Sequence, residues 1–575
     1  MGVCKPQSES KLIHFSFFKS KWHTNVWLAV ALLPLLFACS DSNSTSVPQA
    51  DHIQTDINAN IAARGDRLID ASIGDASNLI PMIAGDASSH AIASQLYLSL
   101  LKYDKDLNLV GQLASAWDVS ADNKTITFHL RPKLTWTDGL PLTSTDCAFT
   151  LALIQDKHTQ SAYKADYALV SGFETPDPRT FIVHYREPFS PALSSWSSLA
   201  ILPKHIFEHV DIMNTSLSRA PKATIGPYQL AKWQAQQSIL MRANPNYFDG
   251  KVWISERLTR IIPDRATQFL ELSAGRLDSV GLTPIQYQRL FNTKPLLKTQ
   301  YKRYKYLDFV YTYLGFNLKR KPFDDIHVRE AIAYAVNRQE ILDGVQLGLG
   351  ETIASPYKPG TYWVNQGLKP RPYDPDKARQ LLVTAGWQDS NHDGWLDKGG
   401  KTLSFTILTN NGNKQRADAA TIMQHRLKKI GIDVHIRLVE WSAFIENFIN
   451  KRQFDAVILG WSLSPDPDQF TIWHSSQTGP RQFNFLSYNN AKVDQALETA
   501  RRTFDKKARK VQYDIMQSEI YKDIPMVFLF APYSLPVMHK RIHGIKPAPA
   551  GIGYNSEHWY VPAALQKYHI NAITP

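Results

Sequence analysis

Between Tyr373 and Trp461 helix and strand signals alternate in an order that leaves few architectures open. In "YDPDKARQLLVTAGW", Asp374 stands where a helix takes its N-cap, Pro375 at the first helical position and Gly386 at the stop, each suited to its place. A second helical stretch, "ADAATIMQHRLKKIG", ends at Gly431, and Val434, Ile436 and Leu438 then alternate as in a strand. A further short helix precedes "FDAVILGW", whose unbroken apolar run reads as a buried strand. Strand, helix, strand in succession predicts a parallel sheet with covering helices. Earlier, "TITFHLR" puts Ile126, Phe128 and Leu130 on one face of a half-buried strand. "TDG" turns the chain, and Thr143 with Asp146 forms a capping-box pattern before the helix "CAFTLALI". The 575 residues, 43% hydrophobic and 20% charged, suffice for two or three domains with their own cores, and no internal repeat is evident.

The N-terminal end has a different character. Lys11, Lys19 and Lys21 precede an apolar run from Val26 to Phe37, too short for the ~20 residues of a membrane-spanning helix. The run ends in "LLPLLFACSDSNSTS", where Leu36-Phe37-Ala38-Cys39 resembles the lipobox of bacterial lipoproteins. That resemblance implies a signal peptide over 1–38 and a lipidated Cys39 as mature N-terminus; an ordinary signal peptide or a core helix containing Cys39 is the alternative. Ser40 follows the cysteine, which leaves inner and outer membrane both open, or the cell surface in a Gram-positive organism. The stretch 39–64, rich in Ser, Asn, Asp and Ala, reads as a flexible tether. Of the three cysteines only Cys147 would remain as an ordinary thiol, so no internal disulfide is expected. The formal charge of +12 falls to about +9 once the signal leaves, a diffuse basicity typical of a solvated surface. An exported chain meets no nucleic acid.

Catalytic signatures are scarce. The sequence has no G-x-S-x-G, H-E-x-x-H, C-x-x-C or Walker pattern, and "GLGETI" lacks the last glycine of G-x-G-x-x-G. "SAYK", Ser161 to Lys164, fits S-x-x-K without the motifs that accompany it in penicillin-binding enzymes. Asp389, Asn391, Asp393 and Gly394 resemble the first half of an EF-hand loop, but position twelve is Gly400, so the bidentate glutamate is missing. An Asp/Asn/Gly-rich surface loop is the preferred reading. Neither enzyme activity nor a metal or other cofactor is expected.

Five blocks, in order, resemble family 5 of the bacterial extracellular solute-binding proteins, the oligopeptide- and dipeptide-binding receptors of ABC importers. They are "LASAWDVSADNKTITFHLRPKLTWTDGLPLTSTD", "IGPYQLAKWQAQQSILMRANPNYFDG", "FNLKRKPFDDIHVREAIAYAVNRQEIL", "YDPDKARQLLVTAGW" and "FDAVILGWSLSPDPDQF". The resemblance implies an α/β fold, a two-lobed periplasmic-binding-protein-like clamp with an extra subdomain inserted in the first lobe. Its expected parts are lobe I at 65–110, 221–308 and 525–575, the insert at 111–220, and lobe II at 309–524. The implied function is capture of peptides in the interlobe cleft and delivery to ABC permease subunits, by a monomer held at a membrane in the periplasm. Within the family, a metal chelate, haem or modified sugar is the alternative ligand; outside it, a periplasmic hydrolase or ligand sensor.

The same resemblance suggests cleft residues. In peptide-binding relatives an Asp three residues after the strand-ending Trp pairs with the peptide's ammonium group. Here Trp461 is followed by Ser464 at that place, with Asp466 and Asp468 just beyond. Asp466 is expected to carry the ammonium charge, the alternative being a turn cap beside Pro465 and Pro467. In dipeptide-binding relatives an Arg after a strand-end Thr pairs with the carboxylate; after Thr409 this chain has Asn410, with Arg416 the nearest cation. Trp461 is expected to wall the pocket or to sit in the core.

Overall fold

The computed structural model describes residues 61–568 and 570. The signal segment, Cys39 and the tether up to residue 60 lie outside them. Two seven-stranded sheets organise the chain. The first runs, in spatial order, Tyr301–Arg303, Pro536–His539, Ser279–Gly281, Gly65–Ser72, Ile254–Ile261, Ser238–Ala243 and Tyr228–Gln234. The second has as its main path Tyr306–Leu307, Met526–Ser534, Val310–Phe316, Ala456–Ser462, Ser404–Asn410 and Asp433–Val439.

The second sheet is parallel only in part. Ser404–Asn410 pairs parallel with both Asp433–Val439 and Ala456–Ser462, as the strand-helix-strand order predicts. Val310–Phe316 and Met526–Ser534 enter antiparallel, so the whole sheet is mixed. The helix Pro375–Thr384 starts from Asp374, whose carboxylate accepts the Lys377 amide at 2.8 Å, and ends before Gly386 at φ +82°. Apolar faces of these helices and both sheet faces enclose two cores, one around Phe323, Ile332 and Met423, the other around Tyr313, Phe485 and Tyr513.

A separate four-stranded sheet, Ala114–Val119, Thr125–Leu130, Thr180–Tyr185 and Val170–Asp177, forms the body of an insert in the first lobe. In Thr125–Leu130 half-buried positions alternate with buried ones, and the Thr143/Asp146 capping box opens the helix Ser144–Gln155. Phe128, Phe181 and Trp196 pack edge-on or stacked beneath it, beside the buried thiol of Cys147.

The chain passes between the two sheets at two places that lie side by side. Tyr306 faces Ser534 in the second sheet, Arg303 faces Val537 in the first, and the Tyr304 amide donates to Pro536 O at 2.9 Å. The return therefore falls at Leu535, ten residues beyond the expected boundary, because the apolar run Met526–Ala531 is buried in the second sheet. A paired ribbon of two short segments is the sole backbone link between the sheets among the described residues.

Candidate functional site

The C-terminal end of Ala456–Ser462 opens onto a cavity of about 770 Å³ between the lobes, large for a ligand pocket. Its lining comes from both sides. The first lobe supplies Asp86, His90, Tyr163 and Asp166; the second supplies Arg416, Trp441, Trp461, Asp466, Asp468 and Phe483. Strand ends are where open α/β sheets collect ligands, since backbone pairing stops there and side chains fan out.

Of the residues singled out in the sequence, Trp461, Ser464, Asp466, Asp468 and Arg416 all line this cavity. Asn410 is buried behind it, where its Oδ1 accepts Arg416 Nη1 at 2.8 Å. Asn410 thus orients the cation. Gly460 leaves it room, because a Cβ at that position would lie 3.1 Å from Arg416 Nη2 and 2.9 Å from Tyr311 O. No carboxylate pairs with Arg416 among the described residues, and burial pulls its guanidinium down to about 10, still charged at neutral pH. Lys358, stacked 4.3 Å from the Phe309 ring centroid, is a second cavity cation with no carboxylate partner among the described residues. Trp461 stacks on Phe485 at 5.7 Å and meets Phe483 edge-on at 5.2 Å, and its buried indole N–H has no partner among the described residues. These three side chains thus bring donors to the cavity lining without a carboxylate partner among the described residues.

The opposite polarity gathers where the lobes touch. Arg501, on the helix Ala491–Arg502, donates to Asp468 at 2.6 Å and to Asp166 of the first lobe's insert at 2.5 Å. Its Nη1 reaches Ala165 O at 3.2 Å, and its guanidinium lies 3.9 Å from the Phe470 ring centroid. Asp466 faces Arg509 at 3.4 Å and accepts the Asp468 amide at 2.9 Å, and its own amide donates to Ser464 Oγ at 3.3 Å. Burial raises the Asp466 carboxyl above its ordinary value, Arg509 opposing the shift, and Asp166 is pushed up to about 6 by burial and by Asp468 and Asp466. Burial, with Asp466 nearby, also pushes the Tyr103 phenol up to about 12.

Trp441 also holds the lobes together. Trp441 Nε1 donates to Asp86 at 3.3 Å, and its ring fills the space where a Gly74 Cβ would stand, 2.7 Å away. Asp86 is already the N-cap of Ala87–Leu96 and accepts Ser77 and Ser89 hydroxyls at 2.6 Å each. His90 meets the Tyr163 hydroxyl at 2.9 Å; burial lowers its pKa, so the ring is neutral. Ser161 and Lys164 do not form a nucleophile and base: Ser161 Oγ donates to Met82 O and Lys164 Nζ to Asp156 O, both at 2.5 Å. In the Asp389–Asp397 loop the carboxylates accept the loop's own amides, Asp389 those of Asp393 and Gly394 and Asp397 that of Ser390.

The family model for "Bacterial extracellular solute-binding proteins, family 5 Middle" matches residues 108–482. The chain belongs to family 5 of the bacterial extracellular solute-binding proteins. It is 32% identical over 553 residues to the oligopeptide-binding protein AppA of Bacillus subtilis, covering 92% of this chain and 97% of that protein. The structure of that AppA in complex with a nonapeptide superposes with a TM-score of 0.83 at 31% identity, covering 87% of this chain and all of the other. NikZ from Campylobacter jejuni, in complex with Ni(L-His), gives a TM-score of 0.78 at 25% identity over 86% of this chain and 99% of NikZ. Heme-binding protein A of Haemophilus influenzae is 26% identical over 82% of this chain and 88% of its own length. Family 5 members are solute-binding proteins rather than enzymes, and their shared fold is this two-lobed α/β clamp. No helix among the described residues is long and apolar enough to cross a membrane.

Proposed function

We propose that this family 5 member captures peptides in its interlobe cavity and hands them to the permease of an ABC importer. The observation that carries the reading is the cavity's divided polarity. Among the described residues Arg416 has no carboxylate partner and the Trp461 N–H no acceptor, while Asp166, Asp466 and Asp468 outnumber the two guanidiniums beside them. A peptide carries both complements, acceptors and a carboxylate on one side and an ammonium group on the other. Backbone groups between them pair with whatever polar edges the cleft offers, and water adapts the pockets to different side chains. The likeness to the structure of an AppA in complex with a nonapeptide supports the same ligand class. A peptide grips both lobes at once, so it stabilises the closed form through contacts that the open form lacks.

Asp466 is the residue we assign to the ligand's ammonium group, sharing its charge with Arg509. Titration calorimetry of Asp466→Asn with one peptide and its N-acetylated twin tests this: the free-amine form should weaken by about 2–5 kcal/mol, the range for truncating a buried charge pair, and the acetylated form much less. Equal losses remove Asp466 from the site. The lipobox-like Leu36–Cys39 supports a diacyl anchor that keeps the receptor beside its permease at the periplasmic face of a membrane. Fatty-acid label should enter the wild-type chain and not Cys39→Ser; equal labelling of both excludes the anchor.

A further inference from the structure

Asp166, Asp468 and Arg501 form an ion cluster that is complete only while the lobes touch. Asp166 belongs to the insert, Arg501 and Asp468 to the second lobe, and Asp466 with Arg509 completes the group. Around it the seam is closed by contacts that involve no ligand. The Ser190 amide donates to Arg501 O at 2.7 Å and its hydroxyl to Ala500 O at 3.0 Å, so one lobe caps the C-terminal end of a helix in the other. Arg502 pairs with Glu187 at 2.9 Å beside it. Three carboxylates thus meet two guanidiniums, one positive charge short of neutrality. Asp468 Oδ1, on a side chain only 10% exposed, has no hydrogen-bond partner among the described residues.

We infer that closing the cleft buries this uncompensated negative charge, and that a proton on Asp166 or a cationic group of the ligand neutralises it, each displacing the other. The inference rests on the cleft reading above but not on the ligand being a peptide. The geometry supplies the place: Asp166 and Asp468 line the ligand cavity on one side and hold Arg501 on the other. A buried charge without a partner is costly, and either a proton or a matched cation removes the cost. The groups facing Asp166 are Arg501 from its helix, Asp466 and Asp468 from the loop after the strand, and Tyr163 and Tyr167 from its own segment. Arg509 acts through Asp466. None of these tyrosines ionises near neutrality, since burial raises both phenols.

The sign follows from linkage. The Asp166 carboxyl is pushed up from 3.8 to about 6 in the closed form, so closing takes up a proton between those values, and closure without ligand is favoured as pH falls through 6. Between pH 7.5 and 5.0 the ratio of closed to open form should rise about tenfold. Solution scattering on the full, ligand-stripped chain reads this directly: the radius of gyration should be smaller at pH 5.0 than at 7.5. Asp166→Asn, and independently Asp468→Asn, should be compact at both. A wild-type radius that ignores pH, or variants that keep the wild-type response, overturns the inference. A second arm uses penta-alanine and its N-acetylated form at pH 5.0, in two buffers of different ionisation enthalpy. The free amine should release protons on binding and the acetylated form should not; proton release equal for both overturns the exchange. If neither peptide binds, the peptide reading is weakened while the scattering result stands on its own.

Discussion

The chain builds nearly the same ion cluster twice, once inside a lobe and once between lobes. Inside the first lobe Arg541 pairs with Asp66 and donates to Asp278 at 2.8 and 2.6 Å; the three side chains are 3%, 0% and 1% exposed. Every remaining carboxylate bond there is supplied by backbone: Asp66 accepts the amides of Arg67, Lys567 and Tyr568, and Asp278 that of Ile69. The cluster ties the first strand, the middle of the chain and the C-terminal return into one discontinuous lobe. At the seam, Arg501 with Asp166 and Asp468 repeats the chemistry and the charge balance, but with one carboxylate oxygen lacking a partner among the described residues and 22% exposure at Asp166. A complete cluster is a staple, whereas an incomplete one across a hinge leaves a term for ligand or proton to fill.

Three substitutions sharpen the contrast. The largest effect belongs to Arg541→Met, which strands two buried carboxylates and should cost about 3–5 kcal/mol in urea unfolding with or without ligand. A loss below ~1 kcal/mol would erase the difference between the clusters. Arg501→Met should leave ligand-free unfolding nearly unchanged but weaken ligand affinity by about 2–3 kcal/mol, because the closed form loses its interlobe bonds. Equal damage to both properties would make the seam an ordinary staple.

Arg416→Met probes the opposite wall and should act most weakly. A peptide with a free carboxylate loses about 1.5–2 kcal/mol, the lower range for a hydrogen bond to a charged group, while its C-terminal amide loses little. Identical losses for acid and amide, measured by calorimetry, would mean that Arg416 shapes the pocket without reading ligand charge.

The sequence made local structure legible and long-range pairing invisible. Asp374, Pro375 and Gly386 mark the limits of Pro375–Thr384 because capping and positive φ depend on a few neighbouring residues. Ile126, Phe128 and Leu130 reveal a buried face because side chains alternate along a strand. Asp466 and Asp468 were reachable from the "SPDPD" segment after a strand end, and Arg416 from its closeness to Asn410. Their partners were not: Asp166 and Arg501 are 335 residues apart and no periodicity links them. The return of Met526–Ser534 to the second sheet was hidden for the same reason, since a buried strand's apolar run does not name the sheet it joins.

The central claim, that the cavity holds a peptide whose two kinds of charge match its two walls, is tested most directly by native mass spectrometry of the chain purified without denaturant. The account predicts a retained ligand that fragments as a peptide, or a ladder of peptides, and that leaves when Asp466→Asn and Arg416→Met are combined. A retained haem, metal chelate or sugar conjugate, unaffected by that double substitution, would contradict it.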